Sequence, residues 1–277
     1  MSKVRALLEQ SVDLSTSSPR RDVEILLCHC LKRNRAWLYT WTEAEVDTDT
    51  QAQFSQLLAQ RKRGVPIAHL TGVRDFWTLE LSVNEHTLVP RPETETLVEW
   101  ALELSVPEQA TVLDLGTGSG AIALALAKER PHWRLTAVDA SAGALKMAEK
   151  NASNLGLSRV RFLQSDWYDN VLEQRFQLIV GNPPYIEESD IHLSQGDLPH
   201  EPKMALVSTD NGLGDLKKII ANASRYLYPG SWLLLEHGYD QGAAVRELFQ
   251  GHGFVGITTR EDLAGHERIT GGRSSVE

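Results

Sequence analysis

Five consecutive residues, Gly181-Asn182-Pro183-Pro184-Tyr185, carry the sharpest chemical signal in this chain. They follow an apolar run, Phe176 to Val180, that reads as a strand, so the motif stands where a strand ends. Each proline lacks an N–H and pushes the residue before it into an extended conformation, which sets Asn182 straight and leaves carbonyl oxygens without neighbouring donors. A planar nitrogen with two hydrogens, a carboxamide or an exocyclic base amine, suits that arrangement. Its lone pair is delocalised into a π system, so it is a poor nucleophile in solution. The Asn182 side-chain oxygen and the Pro183 carbonyl can accept its two hydrogens while Tyr185 packs on its flat face. Holding donor and acceptor carbon in line is worth on the order of 7–11 kcal/mol at best. Asn182, Pro183, Pro184 and Tyr185 are the predicted catalytic residues.

The stretch Thr111 to Ala127, TVLDLGTGSGAIALALA, reads as strand, glycine turn and helix. Gly116, Gly118 and Gly120, with Thr117 and Ser119 between them, form a cradle in which the backbone approaches a ligand closely, and a helix start aims unpaired N–H groups at it. Gly116, Gly118 and Ala121 also satisfy the GxGxxA form of a nicotinamide dinucleotide site. Asp114 inside the strand and a third glycine at the fifth loop position give DxGxGxG instead, which resembles the first motif of Rossmann-like S-adenosylmethionine-dependent methyltransferases. Asp139 ends the next apolar run, where a carboxylate can accept both ribose hydroxyls of either cofactor. After a further strand, RVRFLQ, Asp166 can accept from an adenine amino group, and Trp167 offers a backbone N–H or its indole face to the ring. No metal is expected, because His192, His200 and His237 are scattered without paired ligand spacing.

These motifs need a scaffold, and from Thr111 onward strands and helices alternate, the pattern of a parallel α/β sheet with helices on both faces. FVGITTR and ERITGGR read as a closing strand pair. Glu236 and His237 end the SWLLLEHG strand on the ligand edge, where they could border the site, but read more readily as structural. Residues 1–72 read as a small helical bundle, with one helix capped at Ser18 and another starting near Asp47 or Asp49. Arg20, Arg21 and Arg61 to Arg63 read as solvated faces. Residues 73–92 alternate as a β-hairpin linker turning at Asn84 to His86, and 93–277 form the catalytic domain. Arg91, between two prolines, is either a positioned cation or a surface arginine. The polar segment from Glu187 to Pro202 is a lid or a partner-contact surface.

The 277 residues carry a net charge of −9, which argues against sequence-independent wrapping of nucleic acid. Cys28 and Cys30 lie two apart on a helix and cannot share a face, so reduced thiols and a cytoplasmic, soluble protein are expected.

Together, GxGxG at 116–120, Asp139, SDW at 165–167, NPPY at 182–185, PIAHLTG at 66–72 and PRPETE at 90–95 resemble the protein-(glutamine-N5) methyltransferases of peptide chain release factors, the PrmC/HemK family. NPPY alone is shared with adenine-N6 methyltransferases of RNA and DNA; its combination with PRPETE and PIAHLTG is specific. The resemblance implies a Rossmann-like class I methyltransferase domain behind a helical substrate-docking domain. It implies S-adenosylmethionine, yielding S-adenosylhomocysteine, bound over Gly116 to Gly120, Asp139, Trp167 and Asn182. The substrate it implies is the glutamine of the release-factor GGQ loop, held by Asn182 to Tyr185. A monomer with no membrane or direct nucleic-acid partner is expected. An adenine-N6 methyltransferase and a non-catalytic dinucleotide sensor are the competing readings.

Overall fold

Thr111–Leu115 is buried at all five positions because it is an inner strand of a seven-stranded sheet. The structure, a computed structural model, describes residues 2–14, 16–172 and 174–275. Across the sheet the strands run Val255–Glu261, Glu267–Arg273, Leu227–Glu236, Phe176–Gly181, Thr111–Leu115, Arg134–Asp139 and Arg161–Gln164. The last five are mutually parallel, and Glu267–Arg273 is antiparallel to both of its neighbours. This is the predicted α/β sheet, and the closing strand pair brings in its antiparallel strand. Side chains alternate between two cores, as a period of two requires. Val112, Leu178 and Leu234 pack beneath helices Glu95–Glu103 and Ala121–Glu129, while Leu113, Ile179 and Leu233 face helices Gly214–Tyr226 and Gly242–Gly251.

Register brings the motifs together. Leu115 lies opposite both Val138 and Gly181, Asp139 opposite Gln164, and Gly181 opposite Leu235. The strands therefore end along one edge, with the glycine turn, Asp139, Ser165, Asn182 and Glu236 side by side on it. From Thr111–Leu115 the chain moves outward through two strands, then returns to the other side at Phe176–Gly181. The strand order reverses there, and such a switch point opens a crevice for ligands.

The chain divides into two compact units, residues up to Val73 with Ser194–His200, and Arg74–Leu193 with residues from Glu201 onward. In the first, helices Pro19–Leu31 and Thr48–Lys62 bury Val23, Leu26, Leu27, Phe54 and Leu58. Ser18 and Asp47 occupy the N-cap positions, although only the Asp47 side chain accepts a capping bond, from the Thr50 amide. Cys28 and Cys30 are free thiols. This unit is not wholly helical: Ser2–Lys3 pairs antiparallel with Glu45–Val46. Nor is Arg61 solvated. It is buried, with Asp22 at 2.8 Å and Asp197 at 2.6 Å. A charge run on a helix cannot reveal that one member has two carboxylates waiting far off in sequence.

The hairpin also differs from expectation. Its strands are Val73–Phe76 and Leu79–Ser82, so it turns at Trp77 and Thr78. The expected turn at Asn84 exists, closed by a Thr87 N–H to Asn84 carbonyl bond, but it follows the hairpin. Trp77 takes a left-handed φ of 56° without being glycine or asparagine. That strain is offset by Glu95, which accepts the Trp77 amide at 2.7 Å, and Glu129, which accepts its indole N–H at 2.9 Å. Pro229 and Gly230 form an irregularity inside the strand Leu227–Glu236.

Candidate active site

Gly116, Gly118 and Gly120 all have left-handed backbones, with φ of 71°, 56° and 86°. At Gly116 an added Cβ would only reach van der Waals contact with the Trp167 ring, at 3.4 Å, so it is the left-handed backbone that calls for glycine there. The loop amides turn inward. Gly116 and Thr117 both donate to the Val138 carbonyl at 2.9 Å, Gly118 donates to Asp139 Oδ2 at 2.8 Å, and Gly120 to the Thr117 carbonyl at 2.8 Å. The expected display of unpaired N–H groups is therefore not met by these four, and the glycines contribute shape. Thr117 and Ser119 are buried, so a ligand above the loop meets their backbone. The Thr117 hydroxyl donates to Asp114 Oδ2 at 2.6 Å, and the Ser119 carbonyl accepts from Asn151 Nδ2 at 2.9 Å.

Asp114 lies fully buried under this loop, and burial pushes its carboxyl up to about 7, with Asp139 adding to the rise and the Thr117 hydroxyl opposing it. The folded state thus holds the Asp114 proton at pH values where the unfolded chain has released it. By linkage, this group's contribution to stability declines as pH climbs from the usual carboxylate range toward 7. Asp114→Asn removes that dependence. The melting temperature of the variant relative to the unaltered protein should rise between pH 5 and pH 8, as followed by calorimetry; a pH-independent difference would refute the burial argument.

The crevice holds a cavity of about 320 Å³. Gly116, Gly118, Asp139, Asp166, Trp167, Asn182 and Pro184 line it, so seven of the predicted residues converge on one space. Thr117 and Ser119 line a smaller recess that shares Gly116, Gly118 and Asn182 with it. Gly120, Pro183 and Tyr185 line neither. Gly120 is the N-cap of helix Ala121–Glu129, and the Tyr185 hydroxyl is drawn away toward Glu236. Asp139 Oδ1 accepts the Ser141 amide at 2.8 Å, as Oδ2 does that of Gly118, and each oxygen keeps a further lone pair for a ligand hydroxyl. The Trp167 indole N–H is committed to Asp215 Oδ1 at 3.2 Å, which leaves its ring face for a ligand.

Behind the cavity, the catalytic motif is braced by Thr94 and Gln241, to which sequence alone assigns no role, and by Glu236, which it reads as structural. Asn182 Nδ2 donates to Thr94 Oγ1 at 3.1 Å, and the Tyr185 hydroxyl donates to Glu236 Oε1 at 3.2 Å. Burial, with the Glu236 carboxylate beside it, drives the Tyr185 phenol well above its usual range and keeps it protonated. Gln241 Nε2 donates to the Tyr185 carbonyl at 3.0 Å. Gly212, at a φ of 80°, passes so close that an added Cβ would stand 2.1 Å from that same carbonyl oxygen. Gly212→Ala should therefore cost about 1–3 kcal/mol of stability through overpacking and lower turnover as Tyr185 shifts. A variant with unchanged melting temperature and unchanged turnover would show that this close approach is not needed. Arg91 is the positioned cation: it pairs with the buried Glu201 at 2.5 Å, whose Oε2 also accepts the Val89 amide at 3.2 Å.

Family models match at both ends of this arrangement, "PrmC N-terminal domain" over residues 3–72 and "Methyltransferase small domain" over residues 94–197. A release factor glutamine methyltransferase of Pseudomonas aeruginosa is 50% identical over 99% of this chain and 99% of its own length. Those of Vibrio cholerae, at 45% over 99% and 96%, and Escherichia coli, at 47% over 94% and 94%, are similar. The chain belongs to the release factor glutamine methyltransferase family. Among solved structures, a methyltransferase from Pyrococcus furiosus shares the fold at 16% identity, with a TM-score of 0.56 over 83% of this chain and all of the other. For this family member the sheet is thus the class I methyltransferase sheet. Among the described residues no three His, Cys, Asp or Glu side chains gather as metal ligands, and no helix is long and apolar enough to cross a membrane.

Proposed function

We infer that this protein methylates the side-chain amide nitrogen, N5, of the glutamine in the GGQ loop of peptide chain release factors, using S-adenosylmethionine. The observation that carries this reading is the meeting of Asn182 and Pro184 with the glycine turn, Asp139 and Trp167 around one cavity, in a chain of this family. The residues present fit the cofactor: Gly116 leaves room that a Cβ would fill, Asp139 keeps lone pairs for two hydroxyls, and the Trp167 ring borders the same space. Gly116 to Gly120, Asp139, Asp166, Trp167 and the Asn182 backbone would hold it. When bound, it supplies a methyl group on a sulfonium, which leaves as a neutral thioether as the C–S bond breaks and an N–C bond forms.

The protein's own contribution is positioning. The Asn182 side-chain oxygen and the Pro183 carbonyl take the two amide hydrogens, which turns the nitrogen toward the reacting carbon and keeps water from competing for it. Tyr185, fixed through its hydroxyl on Glu236 and its carbonyl on Gln241, holds the loop that carries them. The nitrogen gives up one proton after transfer, and a methylated, positively charged amide does so without a strong base.

Residues 1–72 act as the docking domain for the release factor and 73–92 as the linker to the methyltransferase domain, 93–277. The protein works as a monomer in the cytoplasm and does not bind nucleic acid directly, in keeping with its net charge of −9. Incubation with labelled S-adenosylmethionine and either a release factor or total RNA tests the reading. Label on the release-factor glutamine is expected, and label on RNA alone would replace it with the adenine-N6 alternative.

A further inference from the structure

Trp167 stands on the cavity wall in a conformation that a tryptophan rarely takes. Its backbone is left-handed, at a φ of 47°, without the freedom of glycine or the local hydrogen bonding of asparagine. A residue strained in this way persists only when its surroundings over-determine it, and such strain gathers at ligand sites. Bonds at both ends hold this one. The Ser165 hydroxyl donates to the Trp167 carbonyl at 2.9 Å, and the indole N–H donates to Asp215 Oδ1 at 3.2 Å. The first fixes the main chain, and the second fixes the ring.

Asp215 lies 48 residues further along the chain, in the first turn of helix Gly214–Tyr226, and is itself aimed. Its amide donates to Ser208 Oγ at 2.9 Å. A backbone amide only donates, so the Ser208 oxygen accepts there and its own hydrogen goes to Asp215 Oδ2, at 2.6 Å. An indole N–H also only donates, so each carboxylate oxygen receives one donor of fixed direction. Lys218 Nζ adds a cation 3.7 Å from Oδ1. Ser208 is 2% exposed, and its amide donates at 2.9 Å to the carbonyl of Ile186, the residue after Tyr185. The clamp on the ring is thus tied to the chain that leaves the catalytic motif.

We propose that Asp215 is a positioning residue that sets the plane of the Trp167 indole and so presents its face as a preformed wall for the aromatic base of the cofactor. This deepens the functional reading above and rests on S-adenosylmethionine binding in this cavity. A ring held before binding loses less freedom when a ligand stacks on it.

Asp215 stabilises the start of its own helix whatever its side chain touches, so the test is a double-mutant cycle between Asp215→Ala and Trp167→Phe in the full-length protein. Trp167→Phe keeps a ring and removes the N–H. The Kd for S-adenosylhomocysteine is measured by calorimetry, with each variant's melting temperature confirming that it is folded at the assay temperature. Asp215→Ala alone should raise Kd on the order of 10-fold, the scale of one hydrogen bond to a charged group. In the Trp167→Phe background the same change should raise it by no more than about twofold. Asp215→Asn, which keeps an oxygen for the indole, should recover most of the loss although it removes the charge from the helix start. An unchanged Kd in Asp215→Ala, or equal factors in the two backgrounds, would overturn the proposal and leave Asp215 a helix-start residue only. So would an asparagine variant no better than alanine. If the unaltered protein binds no S-adenosylhomocysteine, the functional reading itself falls, and this proposal with it.

Discussion

Asn182→Ala is expected to lower kcat for release-factor methylation by at least on the order of 10²–10³-fold, the scale seen when one pre-aimed polar partner is removed from a reacting group. The affinity for S-adenosylmethionine should stay close to that of the unaltered protein. The reasoning follows from what each half of the residue does. Its side chain reaches Thr94 and the cavity, so truncation removes an acceptor for one amide hydrogen and frees the nitrogen to turn out of line. Its backbone, set by the Gly181 and Pro183 neighbours, is unaffected, and the glycine turn opposite keeps its bonds to Val138. Single-turnover labelling and calorimetry on the same preparation separate the two. Equal turnover by the variant would defeat the assignment of Asn182.

Asp139→Ala should do the reverse. Two ribose hydroxyls donating to a charged acceptor contribute about 1.5–3 kcal/mol each, so the Kd for S-adenosylhomocysteine should rise on the order of 10²-fold or more. The Gly118 and Ser141 amides would also lose their acceptor, loosening the glycine turn and the start of helix Ala142–Asn154. At saturating cofactor, kcat should recover much of its value, because nothing that holds the amide nitrogen has changed. Calorimetry showing unaltered affinity would remove Asp139 from the cofactor site.

The catalytic edge was legible because its residues are contiguous or end strands that announce themselves. Three alternating glycines, an acidic residue closing an apolar run and an asparagine before two prolines each have a local physical reason, and parallel register then brings them to one edge. What escaped was held from far away. Thr94 and Asn182 are 88 residues apart, and Tyr185 and Gln241 are 56 apart. No spacing rule links a threonine at the start of helix Glu95–Glu103 to an amide on a strand end. Glu236 was seen on the right edge, yet its type alone could not distinguish a brace for the motif from an ordinary buried carboxylate.

The hairpin went astray for a related reason. Asn84 advertises a turn and Trp77 does not, so local propensity favours the wrong corner; two glutamates from elsewhere, Glu95 and Glu129, stabilise the left-handed tryptophan instead. Arg61 shows the same limit in charge patterning, since its burial depends on Asp22 and Asp197 rather than on its basic neighbours. In the glycine turn the residue types were foreseen but not the use of their amides, which close the loop onto Val138 and Asp139.

The central claim is that two carbonyl-type oxygens, Asn182 Oδ1 and the Pro183 carbonyl, hold the substrate nitrogen. A crystal structure with S-adenosylhomocysteine and a GGQ-containing peptide bound together tests it most directly. The glutamine nitrogen should lie within about 2.7–3.2 Å of both oxygens, on a line toward the cofactor sulfur. A glutamine whose own carbonyl faces Asn182, or whose nitrogen is remote from the pair, would contradict the account.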